Sequence, residues 1–190
     1  MDSGSTVFNE SIDTIDMGDA YERELKNLLS ADEKALQRML RSCSLEERDG
    51  YSAISRNPFM VVRAAGSLGS DLVAMRWDIS FPIEVKSSVH DVLRFSQGPQ
   101  LMEQADRMSG ECCRAGLIPV YAFRLKGVRG DPWKLFSLPL EDELKGRHAL
   151  IARRLPVMER SGNGNYIMRW KDGMKLSSFL SYLEFLRSGE

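Results

Sequence analysis

Soft-metal ligands and the parts of a nucleophilic triad are scarce in this chain, which holds three cysteines and two histidines in 190 residues. Cys43, Cys112 and Cys113 are odd in number and two are adjacent, which suits neither a disulfide framework nor a paired Cys-x-x-Cys zinc site. His90 and His148 lie far apart in sequence, so a histidine metal cage or a Ser-His-Asp site has little to work with. Long apolar runs are also missing: no stretch of about 18 hydrophobic residues is present that would suit a membrane span. Positive charge is absent at the start, where Asp2, Glu10, Asp13, Asp16 and Asp19 stand without a Lys or Arg before Tyr21, the reverse of a secretory or transit leader. These absences lead us to expect a cytoplasmic protein with reduced cysteines and no membrane partner.

What is present fits one compact domain, with 43% hydrophobic and 28% charged residues. The net charge of −1 conceals an asymmetry. Residues 1–50 hold 6 Lys or Arg against 12 Asp or Glu; with 26 and 27 in the whole chain, residues 51–190 hold 20 against 15. A mildly basic body could meet phosphate, while the acidic head discourages nonspecific binding.

Residues 1–18 lack a sustained period and read as an acidic, flexible arm. Helical spacing starts at Asp19, a candidate cap with Glu22 three residues on, and carries Tyr21, Leu25, Leu28 and Leu29. Ala35, Leu36, Met39, Leu40 and Cys43 extend the stripe as a second helical segment, with Ser30 or Asp32 as a fresh cap. Residues 44–57 are polar and read as a connection. Short apolar runs at Phe59–Arg63, Leu72–Arg76 and Phe81–Val85 predict a strand meander, followed by a helix over about Gln97–Ala115 ended by Gly116. Ile118–Leu125 and Trp133–Leu138 predict further strands. Ala152–Glu159 and Tyr166–Trp170 flank Ser161-Gly162-Asn163-Gly164-Asn165 as a hairpin, and Leu176–Arg187 reads as a helix.

The chemistry is concentrated in Asp71, which opens one strand, and in Glu84-Val85-Lys86, which closes the next. Side chains alternate along a strand, so Glu84 and Lys86 share a face while Ile83 and Val85 take the other. A turn at Trp77–Ser80 would pair residues whose numbers sum to about 157, setting Asp71 opposite Lys86 and beside Glu84. Two carboxylates and an ammonium among Leu, Val, Ile and Ala are costly to bury without compensation. A divalent cation supplies it: hard oxygen donors suit Mg²⁺, with Mn²⁺ as a substitute, and the metal can polarise a scissile phosphate. Lys86 would position water or neutralise developing charge, an arrangement that describes phosphodiester hydrolysis.

With Asp71, Glu84 and Lys86 as its D, E and K, the sequence resembles the PD-(D/E)xK nuclease superfamily. The order Tyr21-Glu22-Arg23-Glu24-Leu25, Val62-Arg63-Ala64-Ala65-Gly66-Ser67, Asp71-Leu72-Val73-Ala74, Ile83-Glu84-Val85-Lys86 and Ile118-Pro119-Val120-Tyr121-Ala122-Phe123 resembles archaeal-type Holliday-junction resolvases. The likeness spans roughly Gly18 to Leu138 and implies an α/β, restriction-endonuclease-like core, a mixed central β-sheet flanked by helices. It implies Glu22 as a third metal ligand with Asp71 and Glu84, against the plainer role of helix capping. It also implies Ser67 near the catalytic centre, against a simple turn.

Arg63 beside that loop suits a phosphate contact, against a surface ion pair, and Gln100 or Gln104 could aim at the site from the following helix. Residues 19–138 would form the nuclease core, with a helical insertion near 31–57, and residues 139–190 a hairpin-and-helix extension packed on the same domain. Two symmetric cuts in four-way junction DNA need two active sites, hence a homodimer, with Met102, Met108 and the last helix as interface candidates. A nucleoid-associated protein follows from that substrate. The alternatives are a restriction-like or flap endonuclease of the same superfamily, and a noncatalytic DNA-binding scaffold.

Overall fold

The computed structural model describes residues 10–64, 69–140 and 144–189, without the side chains of residues 10–18, 97 and 99. Helix α1, Glu10–Leu29, begins before Asp19, which therefore lies inside it and caps nothing. The chain turns at Ala31, in left-handed backbone at φ 57°, and the side chain of Asp32 accepts from Ala35 N at 2.9 Å to start α2, Glu33–Leu40.

The stretch read as a polar connection is instead helix α3, Leu45–Arg56. Ser44 and Glu47 form a reciprocal capping box, the Glu47 carboxylate accepting from Ser44 N at 2.9 Å and Ser44 Oγ from Glu47 N at 3.3 Å. Glu46, Arg48 and Asp49 face solvent, while Glu47, Tyr51 and Ile54 are buried.

Strands β1 (Met60–Arg63), β2 (Leu72–Arg76) and β3 (Ile79–Ser88) form the expected antiparallel meander. After β4 (Val92–Arg94) comes α4, Pro99–Ala115, with Pro in the first turn and Gly116 in left-handed backbone at its end. Strands β5 (Val120–Leu125) and β6 (Trp133–Ser137) follow, then helix α5 (Gly146–Arg154). The hairpin around residues 161–165 is present as β7 (Glu159–Arg160) and β8 (Tyr166–Arg169), although residues 152–154, expected as strand, end α5. Strand β9 (Met174–Lys175) leads into α6, Leu176–Ser188.

The main sheet has the order β1-β2-β3-β5-β6-β9, with β3 and β5 parallel and its other pairs antiparallel; a second sheet has the order β4-β8-β7. The fold is thus a mixed α/β sheet flanked by helices. One sheet face packs on α1, α2, α3, α5 and α6 through residues such as Leu25, Leu28, Tyr51, Phe81, Ala122, Ile151 and Phe179. The other packs on α4 and the small sheet through Ala105, Met108, Tyr121, Phe123, Tyr166 and Met168. Met108 is therefore core, and Met102 is half-buried with its sulfur accepting from Tyr166 N at 3.4 Å.

Helices α3 and α6 meet at close range because Gly50 has no side chain: a Cβ there would lie 2.1 Å from the carbonyl oxygen of Ser177. Buried Asp131 ties the same region together, accepting from Tyr51 Oη at 2.9 Å, Trp133 N at 3.0 Å and Ser177 N at 2.7 Å, the last within the first turn of α6. Gly50→Ala is expected to force the helices apart and lower stability by about 2–3 kcal/mol, read as a lower urea midpoint. An unchanged midpoint would mean that this close approach is not made.

Candidate active site

The tight β2–β3 hairpin determines where the charged groups fall. Arg76 pairs with Ile79, leaving Trp77-Asp78 as a two-residue turn, and Asp78 is gripped by Arg76 through contacts of 2.5 and 2.8 Å. Paired residue numbers therefore sum to 155, as in Leu72↔Ile83, rather than 157. The correction moves Asp71 from opposite Lys86 to the level of Glu84. Its backbone N donates to Ile83 O at 2.9 Å, and its own carbonyl accepts from Ala64 N at 2.9 Å, linking the end of β1 to the middle of β3. The side chain reaches across, Oδ2 accepting from Val85 N at 2.7 Å.

Glu84 is 3% exposed. Its Oε1 accepts from Lys86 Nζ at 2.6 Å, as the shared strand face requires. Its Oε2 is buried with no hydrogen-bond partner among the described residues. Burial, partly offset by the Lys86 ammonium and reinforced by the Asp71 charge, raises the Glu84 carboxyl to about 7. Gln104 on α4 donates from Nε2 to Gly69 O at 3.4 Å, and its amide further offsets the rise of the Glu84 carboxyl. Gln100 is exposed instead.

The parallel β3–β5 register sets Tyr121 beside Glu84. The Tyr121 hydroxyl and Ser70 Oγ are further buried groups lacking a partner among the described residues. Burial, followed by the Glu84 charge, pushes the Tyr121 phenol upward. Neither hydroxyl was found from sequence. Ser70 has only adjacency to Asp71 as a signal, and Tyr121 needs the nonlocal β3–β5 pairing before its alternation can be used.

Glu22 is engaged by Arg63, whose guanidinium donates to Glu22 Oε2 at 2.6 Å and also to Asp19, one turn earlier on α1. The same contacts place Arg63, about half exposed, in an ion-pair group with Asp19 and Glu22. Among the described residues no group of three or more His, Cys, Asp and Glu side chains is arranged to hold a metal. Ser67 lies outside the described residues. The structure thus brings together Asp71, Glu84, Lys86 and Gln104, and separately joins Glu22 to Arg63.

No protein-family model and no curated protein matches the chain. Among solved structures it is similar to Archaeoglobus fulgidus Hjc, a Holliday junction resolvase from an archaeal hyperthermophile. That similarity has 17% sequence identity over 87% of this chain and 96% of that one, with a TM-score of 0.48.

Proposed function

We propose that the protein is a divalent-cation-dependent endonuclease that hydrolyses DNA phosphodiester bonds, with four-way junctions as its substrate and a homodimer as its acting form. The observation that carries this reading is the Asp71–Glu84–Lys86 constellation, in which a buried carboxylate keeps one oxygen unmatched while the other meets an ammonium at 2.6 Å. A buried carboxylate oxygen without a partner is costly unless a ligand completes it. Hard oxygen donors from Asp71 and Glu84 fit Mg²⁺, with Mn²⁺ as a substitute. Such an ion, when bound, polarises the scissile phosphate and lowers the pKa of a water.

The chain's own groups have separable roles. Asp71, anchored by Val85 N, presents its carboxylate at a fixed place on the sheet. Gln104, tied from α4 to the Gly69 carbonyl, supplies an amide that favours the ionised Glu84 carboxylate. Lys86, half-buried beside Glu84, can donate from Nζ to a nonbridging phosphate oxygen as negative charge builds there. Glu22 and Arg63 fasten α1 to the end of β1, next to the loop that leads to Asp71. Glu22→Gln is accordingly expected to retain measurable cleavage, within about tenfold of the unsubstituted protein. A loss as deep as that of Asp71→Asn in the same gel assay would return Glu22 to the metal site.

Support for the junction as substrate comes from the order of motifs around residues 21–25, 62–67, 71–74, 83–86 and 118–123, and from the need of a four-way crossover for paired cuts. End-labelled four-way, flap and linear duplex DNA incubated side by side with Mg²⁺ or Mn²⁺ test it. Paired symmetric nicks confined to the four-way substrate are expected. Preferential cutting of flap or linear duplex would remove the junction reading, and no cutting of any substrate would favour a DNA-binding scaffold.

A further inference from the structure

On the face of the sheet opposite Glu84 lies a cavity of about 470 Å³ that plays no part in the chemistry above. Arg124 and Ala122 alternate with Phe123 on β5, and Ala122 belongs to the core beneath α1 whereas Phe123 belongs to the core beneath α4. The cavity is lined from α1 by Arg23, Glu24, Asn27 and Leu28, from α2 by Ala35, Arg38 and Met39, and from β5 by Arg124. Pro132, just before β6, contributes to the same lining.

Its electrostatics run against its surroundings. The first 50 residues are strongly acidic, yet the lining gathers three guanidiniums against one carboxylate. That carboxylate and Arg124 engage each other, Glu24 accepting from Arg124 Nε at 3.0 Å and from Trp133 Nε1 at 3.3 Å, while the Arg124 guanidinium lies over the Tyr21 ring and keeps its remaining N–H groups for a further acceptor. Arg23 pairs with Asp19, which is shared with Arg63. Arg38 has no carboxylate partner among the described residues; its Nε donates to the carbonyl of Lys34 at 3.3 Å. Guanidinium groups drawn from three separate elements favour a doubly charged oxyanion, above all phosphate. Ala20 and Val128, which are not buried, add apolar surface on which a flat ring can lie, with Met39 behind it, and Asn27 and Ser42 add hydrogen-bonding edges. The volume is that of a small-molecule site.

We infer that this cavity binds a nucleoside 5′-phosphate, with the phosphate among Arg23, Arg38 and Arg124 and the base against Ala20 and Val128. The ligand chemistry is shared by a free mononucleotide and by the 5′-phosphorylated end of a strand. The site is independent of the nuclease reading, because binding is measured without divalent cations and without cleavage.

The test is isothermal titration calorimetry on the full chain in EDTA with adenosine 5′-monophosphate, adenosine, inorganic phosphate, and a trinucleotide with and without its 5′-phosphate. The monophosphate is expected to bind about tenfold or more tightly than adenosine or inorganic phosphate, corresponding to at least one good charge-assisted contact plus ring burial. Arg38→Gln, an exposed position on α2, is expected to weaken binding by about tenfold with an unchanged circular dichroism spectrum and Tm. Asp71→Asn is expected to bind as the unsubstituted protein does. A phosphorylated trinucleotide that binds as well as the monophosphate identifies the strand end as the source; one that binds about tenfold more weakly identifies the free nucleotide. No binding at about 1 mM, equal binding of inorganic phosphate, or binding lost in Asp71→Asn but kept in Arg38→Gln would overturn the inference.

Discussion

Asp71→Asn is expected to slow junction cleavage by about a thousandfold or more while changing junction affinity by less than about threefold. The substitution keeps the side chain's size and leaves an oxygen able to accept from Val85 N, so the hairpin and the start of β2 should survive. What is lost is one of the two charged oxygen ligands proposed for the cation. Affinity should survive because binding of a branched duplex rests on Arg and Lys contacts to phosphate spread over the surface. Single-turnover cleavage and gel-shift measurements on the same preparation separate the two effects. Parallel losses of binding and cleavage would show that Asp71 supports the fold or the DNA surface, and a near-normal rate would remove it from the chemistry.

Glu84→Gln should abolish cleavage and, without divalent cations, make the protein more stable at pH 8. The sign follows from burial. The folded-state pKa of Glu84 is raised from 4.5 to about 7, so the group favours the native state fully below pH 4.5, and that contribution is lost as pH rises through 7. Across that window the destabilisation is on the order of 3 kcal/mol, reduced in the comparison with Gln by loss of the Lys86 contact. A net gain of about 1–2 kcal/mol at pH 8 is therefore expected in urea unfolding, vanishing near pH 5. The same protonation links activity to pH: at subsaturating Mg²⁺ the cleavage rate should rise about tenfold per unit below pH 7 and then level, because the proton and the cation compete for one carboxylate. A flat rate between about pH 5.5 and 8, or a Glu84→Gln protein less stable than its parent at pH 8, would show that Glu84 is not held as a strained, unmatched acid.

The strands that build the site were legible because their alternation is local. β2 spans Leu72–Arg76 as read, and Glu84 and Lys86 share a face because they are two positions apart. The register was not legible to the last residue. A turn of Trp77–Ser80 and one of Trp77-Asp78 fit the same apolar pattern, and the choice falls to Asp78, which Arg76 and, at 3.6 Å, Arg147 hold from both sides. Helix α3 was hidden by the charge-rich run Glu46-Glu47-Arg48-Asp49, although Ser44 and Glu47 carried a capping-box signal. The ion pair of Glu22 was hidden for a different reason. Its partner Arg63 is 41 residues away, and no local pattern distinguishes a carboxylate aimed at a cation from one answered by a guanidinium. Gln104 needed the packing of α4 on the sheet before its influence on Glu84 and its bond to Gly69 O could be known.

Manganese titration followed by electron paramagnetic resonance tests most directly whether Asp71 and Glu84 together seat a hard cation. The unsubstituted protein should remove free Mn²⁺ signal with saturable stoichiometry, Mg²⁺ should displace it, and Asp71→Asn and Glu84→Gln should each weaken the uptake by about tenfold or more at pH 8. Equal uptake by all three proteins, or none by any of them, would contradict a cation site at the Asp71–Glu84 pair.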